Sequence, residues 1–116
     1  MKTEIISIGD ELLIGQVVNT NASWIAEQLN LIGIEVVRIT TIADRQEEII
    51  QAMDDAVERA EVILLTGGLG PTRDDITKNT LCEYFDSELV FNEVAYENII
   101  KLFGSKNIAK MFFIFR

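Results

Sequence analysis

The sequence predicts an α/β protein, a three-layer α/β/α sandwich built around a mainly parallel sheet. Short apolar runs rich in β-branched residues alternate along the chain with segments whose apolar residues recur at helical spacing. The length of 116 residues is that of one domain. Strands that alternate with helices form βαβ units, and right-handed crossovers place helices on both faces of the sheet.

The first third of the chain predicts one strand and one helix. Ile5–Ile8 is a β-branched run that stops at Gly9, which is typical of a buried strand. Residues 19–21 are candidate helix N-caps, and apolar residues then recur at helical spacing until Gly33 ends the pattern. Trp24 in this helix is more typical of a core residue than of one that stacks on a base.

A second strand, a helix and a third strand follow. Glu35–Ile42 is mixed in polarity, which places it nearer a sheet edge. Asp44 and Glu47 resemble a capping box. The helix that they begin has one apolar face, formed by Ile49, Met53, Val57 and Ala60. Val62–Leu65 is the most apolar strand, so both of its faces are expected to be covered.

The later elements are a helix from about Asp75 to Phe85, an extended piece over Glu88–Phe91 and a last helix. Asn92 is expected to cap the last helix and Gly104 to end it. Residues 1–104 form the predicted domain, and residues 105–116 form an atypical apolar tail.

The tail carries the apolar run Met111–Phe115, which is either one more strand or an exposed adhesive end. Three clear strands are few for such a sandwich, so the domain is expected to be incomplete at its C-terminus. Apolar surface and an unpaired sheet edge would then be exposed. We therefore predict a homo-oligomer in which the tail pairs with, or packs on, another subunit.

Charge and composition exclude several functions. The formal net charge is −9 and all 19 acidic residues lie within the first 97 positions, which disfavours nucleic acid as a partner. One cysteine and no histidine exclude an internal disulfide and imidazole chemistry, so any metal must be a hard, Mg²⁺-like divalent cation held by oxygen ligands. No apolar run could span a membrane and no secretion signal is present, so we expect a cytoplasmic protein.

Two loops that follow predicted strands contain the unusual residues. One runs from Gly9 to Gly15 and the other from Thr66 to Asp75. In open α/β sheets, ligands bind outside the carboxyl ends of the strands, where the strand order reverses. If the order is 2-1-3, the reversal lies between the first and third strands, where these loops meet.

The second loop is rich in glycine. Gly67, Gly68 and Gly70 would let backbone amides approach a ligand, and the next helix directs its N-terminus to the same place, as in a phosphate cradle. The loop is neither a Walker loop nor a dinucleotide-binding fingerprint, because no Gly-Lys-Ser/Thr follows and Arg73 replaces the third glycine. A simple turn explains the same glycines, so both interpretations stay open.

Five carboxylates surround these loops. Asp74 and Asp75 either cap the next helix or bind a divalent cation beside phosphates, with Thr72 or Thr77 as a further ligand. The acids expected to join them at this edge are Asp10, Glu11 and Asp44. Each acid alone is explained by a structural role, but the cluster favours a metal–phosphate site.

In these loops the chain resembles a known family, the CinA or competence/damage-inducible proteins. The resemblance to their N-terminal domain lies in the segment from Gly9 to Asn21 and in TGGLGPTRDDIT at residues 66–77. That domain is similar in turn to molybdopterin-binding proteins of the MoaB/MogA type. The resemblance covers roughly residues 3–105.

The resemblance implies a molybdopterin-binding α/β/α fold and, in the CinA branch, metal-dependent hydrolysis of ADP-ribose at its pyrophosphate. It implies that Asp75 is a metal-linked catalytic acid and that Asp44 is the second one. The metal ligands would be Asp74 and Asp75. The phosphate-binding residues would be Gly67, Gly68, Gly70 and Thr72, and the other ligand-binding residues Gly9, Asp10, Glu11 and Asn21.

The chain departs from the family after residue 104, where the tail replaces the family's further strands. This departure predicts a truncated or frameshifted copy. Three functions are open: a metal-dependent ADP-ribose pyrophosphatase, a pterin-binding protein of molybdenum cofactor synthesis, and a binding remnant without turnover. Each would take a small nucleotide or pterin as its ligand.

Overall fold

A four-stranded sheet forms the centre of the protein. The computed structural model describes residues 1–68, 74–88, 90–103 and 113–115, with the backbone alone at positions 74, 75, 99, 102, 103 and 113–115. Four strands lie in the order β2-β1-β3-β4. Their bounds are Lys2–Ile8 for β1, Glu35–Ile42 for β2, Val62–Gly67 for β3 and Phe113–Phe115 for β4. β1 is parallel to β2 and β3, whereas β4 is antiparallel to β3.

Five helices accompany the sheet within the described ranges. They are α1 (Asp10–Leu13), α2 (Thr20–Leu31), α3 (Gln46–Arg59), α4 (Asp74–Tyr84) and α5 (Glu93–Phe103). In this part of the chain, no helix has the length and apolar character needed to cross a membrane.

β1 is an inner strand whose residues 3–8 are all buried. Ile6 belongs to the main apolar core together with Met53 of α3, and α4 packs beside α3. Side chains alternate between faces along a strand, and Ser7 accepts a hydrogen bond from Asn19, at the start of α2. α3 and α4 therefore cover one face and α2 covers the other, which confirms the predicted α/β/α sandwich.

The polarity of the other strands matches their positions. β2 is an edge strand, as predicted, and only its last residue, Ile42, is fully buried. β3 lies between β1 and β4, with Ile63 and Leu65 in the core. The apolar sequence of β3 thus reflects an inner position in the sheet.

α3 begins differently from the prediction. Its N-cap is Arg45, which is extended and makes no side-chain capping hydrogen bond, so the capping box of Asp44 and Glu47 is wrong. The Asp44 carboxylate accepts a hydrogen bond from Thr77 of α4 instead. The helix begins after Arg45, so Asp44 lies one residue before the N-cap position.

The buried face of α3 is also displaced by one position from the predicted face. Val57 was expected in the core but is 48% exposed, and Ala60 follows the helix in an extended conformation. Positions i, i+3, i+4 and i+7 share one face of a helix. The residues that fulfil this pattern are Ile49, Ala52, Met53 and Ala56.

The segment after β1 is more regular than a loop, because residues 10–13 form α1. The next helix, α2, has Asn19 as its N-cap, and Asn19 Oδ1 accepts a hydrogen bond from the Ala22 N–H at 3.4 Å. Gly33 lies just beyond the helix end with a positive φ of 82°, as its predicted role requires. Trp24 is 63% exposed, so its expected place in the core is wrong.

The segment before α5 is irregular. Glu88, Val90 and Phe91 form no strand, so the predicted extended piece is not part of the described sheet. Asn92 caps α5 as predicted, since its Oδ1 accepts a hydrogen bond from the Ala95 N–H at 2.9 Å. Gly104, the predicted end of this helix, lies outside the described residues.

The end of the tail forms β4. Phe113 pairs with Leu65, and Ile114 with Leu64, along β3. Of the two predicted alternatives, one more strand is therefore correct, and the strand pairs within its own chain rather than with another subunit. The physical reason is that β3 otherwise has an unpaired edge, and a tethered segment reaches it at a high effective concentration.

A partly buried ion pair, of which the sequence gives no sign, joins α3 to β1. Glu4 is fully buried, and its carboxylate accepts hydrogen bonds from Arg59 Nη2 at 2.8 Å and Nε at 3.1 Å. Thr40 of β2 donates a third hydrogen bond at 3.1 Å. The hydrogen bond to Glu4 raises the pKa of the Arg59 guanidinium. A buried carboxylate without such partners would be costly, so this pair fixes the end of α3 over β1.

Met53→Ala is expected to lower the free energy of unfolding by about 2–5 kcal/mol, because it opens a cavity in the core. Val57→Ala is the matched control, since Val57 lies one turn further along α3 and is 48% exposed. We expect its cost to be below about 1 kcal/mol. Urea denaturation followed by circular dichroism measures both, and equal losses would contradict the buried face of α3.

Homo-oligomer formation stays a prediction, and exposed apolar side chains on α1 and α2 support it: Leu13, Trp24 and Leu31. We expect light scattering of the intact chain to give a multiple of 13.1 kDa. A chain cut after Gly104 lacks β4 and is expected to aggregate through the open edge of β3. An intact chain of monomeric mass would refute the oligomer, and a soluble monomeric 1–104 chain would show that β4 does not protect the edge.

Candidate functional site

The carboxyl ends of β1, β2 and β3 meet at one edge of the sheet. Ile8, the last residue of β1, pairs with Ile42 of β2 on one side and with Gly67 of β3 on the other. The strand order 2-1-3 on which the site prediction depended is therefore confirmed. β2 lies on one side of β1 and β3 on the other, so the strand order reverses at this point. Open α/β sheets bind their ligands at such switch points.

The turn after β1 is tied to the residues after β2. The Gly9 N–H donates a hydrogen bond to the Ile42 carbonyl oxygen at 3.0 Å. Asp10 Oδ1 accepts one from the Asp44 backbone N–H at 3.3 Å. Gly9 is buried, whereas Asp10 is exposed and Asp44 is half-buried. Two of the predicted acids thus lie together at the ends of neighbouring strands.

Thr77 of α4 joins this pair of acids. Its hydroxyl Oγ1 donates a hydrogen bond to Asp44 Oδ1 at 3.3 Å, and the residue is only 1% exposed. From the sequence, Thr77 is a candidate oxygen ligand of a cation. In the structure its hydroxyl binds a carboxylate of the site.

Gly67 and Gly68 bring the end of β3 close to its neighbours. Both have positive φ angles, of 90° and 69°. A Cβ atom on Gly67 would collide with the carbonyl oxygen of Ile8, and one on Gly68 would collide with the hydroxyl of Thr77. The contacts between β1, β3 and α4 therefore require glycine at both positions. Their binding of phosphate stays a prediction.

Asn19 is a residue whose role at this edge the sequence analysis missed. Its Nδ2 donates a hydrogen bond to the buried Ser7 Oγ at 2.9 Å, while its Oδ1 caps α2. It thereby attaches the start of α2 to the end of β1. Asn21, the predicted ligand residue of this segment, is exposed on α2. An asparagine before a helix indicates a cap, but its second hydrogen bond leaves no signal in the sequence.

The remaining predicted site residues give no further geometry. Glu11 is exposed on α1, and Gly70, Thr72 and the side chains of Asp74 and Asp75 lie outside the described residues. Among the side chains that the structure describes, no group of three or more acidic, cysteine or histidine residues could hold a metal ion. The oxygen atoms near Asp44 belong to carboxylate and hydroxyl groups. Such groups are the ligands that a hard cation such as Mg²⁺ prefers.

A groove between α3 and α4 extends from Asp44. Its volume is about 510 Å³, and its lining is largely polar, including Arg45, Asn79 and Thr80. The groove adds hydrogen-bonding groups beside the strand ends. No motif in the sequence indicates it, because its residues come from two separate helices.

Two hydrogen bonds join α3 to α4, the helices that form this groove. Gln46 Nε2 donates to Glu83 Oε2 at 3.2 Å, and the Tyr84 hydroxyl donates to Asp54 at 2.8 Å. Burial raises the pKa of the Tyr84 phenol, and the hydrogen bond to Asp54 raises it further. The phenol therefore stays a neutral hydrogen-bond donor over the physiological pH range.

Comparison with known proteins assigns this arrangement to a family. Residues 4–116 match the family model described as "Probable molybdopterin binding domain". The chain belongs to this family. The match spans the strand ends, the glycine-containing turn and the residues after them, so it covers the whole candidate site.

Within the family the chain is similar to CinA-like proteins. It is 47% identical over 100 residues to a CinA-like protein of Cytophaga hutchinsonii, an alignment that covers 86% of this chain and 24% of that protein. The chain thus spans about a quarter of the length of this curated relative.

Solved structures of similar sequence share the fold. The protein CinA from Thermoplasma acidophilum has a TM-score of 0.70 at 32% identity, over 95% of this chain and 69% of that one. MoaB from Pyrococcus furiosus, described as a tungsten cofactor synthesizing protein, has a TM-score of 0.74 at 32% identity, over 89% and 64%. The predicted family and fold class are confirmed.

Gly68→Val is expected to abolish nucleotide binding and to destabilise the fold, because the side chain would collide with Thr77 and disfavour a φ of 69°. Gly33→Ala is the control, since Gly33 has a φ of 82° with nothing within 4 Å of an added Cβ, and it lies before β2, away from the carboxyl ends of the strands. It should cost about 1–2 kcal/mol and leave binding intact. Calorimetric titration with ADP-ribose and thermal denaturation measure these effects, and wild-type affinity in Gly68→Val would contradict the site.

Proposed function

We propose that this chain binds a small phosphate-bearing ligand at the carboxyl ends of β1, β2 and β3 and, with a divalent cation, hydrolyses the pyrophosphate of ADP-ribose-like nucleotides. One observation carries the proposal. Asp10, Asp44, Gly68 and Thr77 come together at the switch point of the sheet, beside a groove of about 510 Å³. This is where an α/β sheet of this kind binds its ligand.

Similarity to CinA-like proteins supports the hydrolytic form of the proposal. Several relatives that are 42–50% identical to this chain are described as CinA-like or as competence-damage inducible proteins. The segment Leu69–Thr72 has the sequence expected of the CinA branch. Since the chain spans about a quarter of the length of these relatives, the activity belongs to the proposal and not to the family assignment.

The chemistry assigned to each residue follows from its position. Asp44, held at the strand ends, would orient the attacking water, because the chain has no histidine to act as a base. Backbone amides at Gly67 and Gly68 and the start of α4 would receive the phosphates. Asp74 and Asp75 would hold the cation, which when bound supplies positive charge to the pyrophosphate oxygens.

Binding of molybdopterin without hydrolysis is the second candidate function. The family match supports it, and so does the likeness to MoaB, at a TM-score of 0.74. The same edge of the sheet would receive the phosphate of a pterin in place of a pyrophosphate. The two candidates differ in whether a bond is broken, so product analysis separates them.

Asp75→Asn is expected to remove the metal-stimulated hydrolysis of ADP-ribose to AMP and ribose 5-phosphate while the fold stays intact. The reason is the loss of a negative oxygen ligand at the proposed cation site. Mass spectrometry of the products with and without Mg²⁺ is the measurement. Glu58→Gln is the control, because Glu58 is an exposed acid in the last turn of α3.

An Asp75→Asn variant that keeps the full response to Mg²⁺ would exclude the cation role of Asp75. A wild-type chain that yields no AMP but binds a synthetic pterin phosphate in a calorimetric titration would replace the hydrolytic proposal with the second one. A chain that does neither would contradict both.

A further inference from the structure

We infer that Thr77 is a positioning residue, whose hydroxyl holds the Asp44 carboxylate in place against the turn at Gly68. The inference rests on the proposed function, because it assigns Asp44 a ligand to act on. It concerns a contact between α4 and the end of β2 that the motif alone does not indicate. Three observations on the contacts around Thr77 support it.

First, two hydrogen bonds anchor Asp44. Its backbone N–H donates a hydrogen bond to Asp10 Oδ1 at 3.3 Å, and its Oδ1 accepts one from Thr77 Oγ1 at 3.3 Å. The main chain is thus fixed from the β1 side and the carboxylate from the α4 side. Both distances are longer than those of typical protein hydrogen bonds, as is common for catalytic groups that tighten around a ligand.

Second, Thr77 is buried. It is 1% exposed, so its hydroxyl cannot satisfy its hydrogen bond with bulk water. The bond to Asp44 satisfies this group inside the protein. A hydroxyl buried in this way is ordered by its bond to Asp44 more strongly than an exposed threonine hydroxyl would be.

Third, Thr77 contacts the turn formed by Gly67 and Gly68. The Thr77 hydroxyl occupies the space that a Cβ atom on Gly68 would need, and the Ile8 side chain borders the same space. One hydroxyl therefore touches the residues that follow β2 and those at the end of β3. Its position sets the separation between the Asp44 carboxylate and the backbone proposed to receive phosphate.

Two variants of Thr77 separate its hydroxyl from its shape. Thr77→Val keeps the branched side chain and removes the donor, whereas Thr77→Ser keeps the donor. With the full chain, Mg²⁺ and ADP-ribose, we expect Thr77→Val to lower kcat by about 10–100-fold while KM changes by less than about threefold, since misplacement of a reacting group lowers the rate. Thr77→Ser should recover kcat to within about threefold of wild type.

Thr3→Val is the matched control for the loss of a buried threonine hydroxyl. Thr3 is 1% exposed at the opposite end of β1, and its hydroxyl has no hydrogen-bond partner in the described part of the structure. Its kcat should equal that of wild type. Full kcat in Thr77→Val would overturn the inference. So would an equal loss in Thr77→Ser, because packing and not the hydroxyl would then be responsible.

A structural measurement keeps this test separate from the test of hydrolysis. Crystal structures of the wild type and of Thr77→Val should show the Asp44 carboxylate turned away from α4 in the variant only. If the wild type proves inactive, the proposed hydrolysis fails and this comparison still decides the role of Thr77. An Asp44 carboxylate in the same position in both structures would overturn the inference.

Discussion

β1 lies between β2 and β3, and its residues 3–8 are buried. The positions of both neighbouring strands, and of the helices that cover the two faces of the sheet, therefore depend on it. At its beginning, the buried Glu4 must be neutralised, and Arg59 brings the end of α3 over the sheet to do so. At its end, Ile8 is flanked by the ends of β2 and β3. The candidate site is therefore the place where an inner, fully buried strand emerges between two parallel neighbours.

Much of the fold could be predicted because it depends on local patterns. The run Ile5–Ile8, the mixed polarity of β2 and the cap at Asn92 each left a direct signal in the sequence. The errors arose where a local signal is compatible with more than one environment. Asp44 resembles a capping residue but is used between β2 and α4, and Trp24 has the hydrophobicity of a core residue but remains exposed.

The sequence predicted the location of the site but not the contacts within it. Strand order and loop composition placed Gly9, Asp10, Asp44 and the glycine turn at one sheet edge, and the structure brings these together. The partners of each side chain could not be predicted, because they come from elements distant in sequence. Thr77 lies 33 residues from Asp44, and no periodicity relates the two positions.

The close packing of Gly67 and Gly68 changes how related sequences are to be interpreted. Both glycines are needed for β3 to approach β1 and α4, whatever the protein binds. A duplicated copy that had lost its ligand would still be selected to keep them, because their replacement would damage folding first. The glycine pattern therefore follows from the architecture, whereas Asp44 and Thr77 are the positions tied to the proposed chemistry.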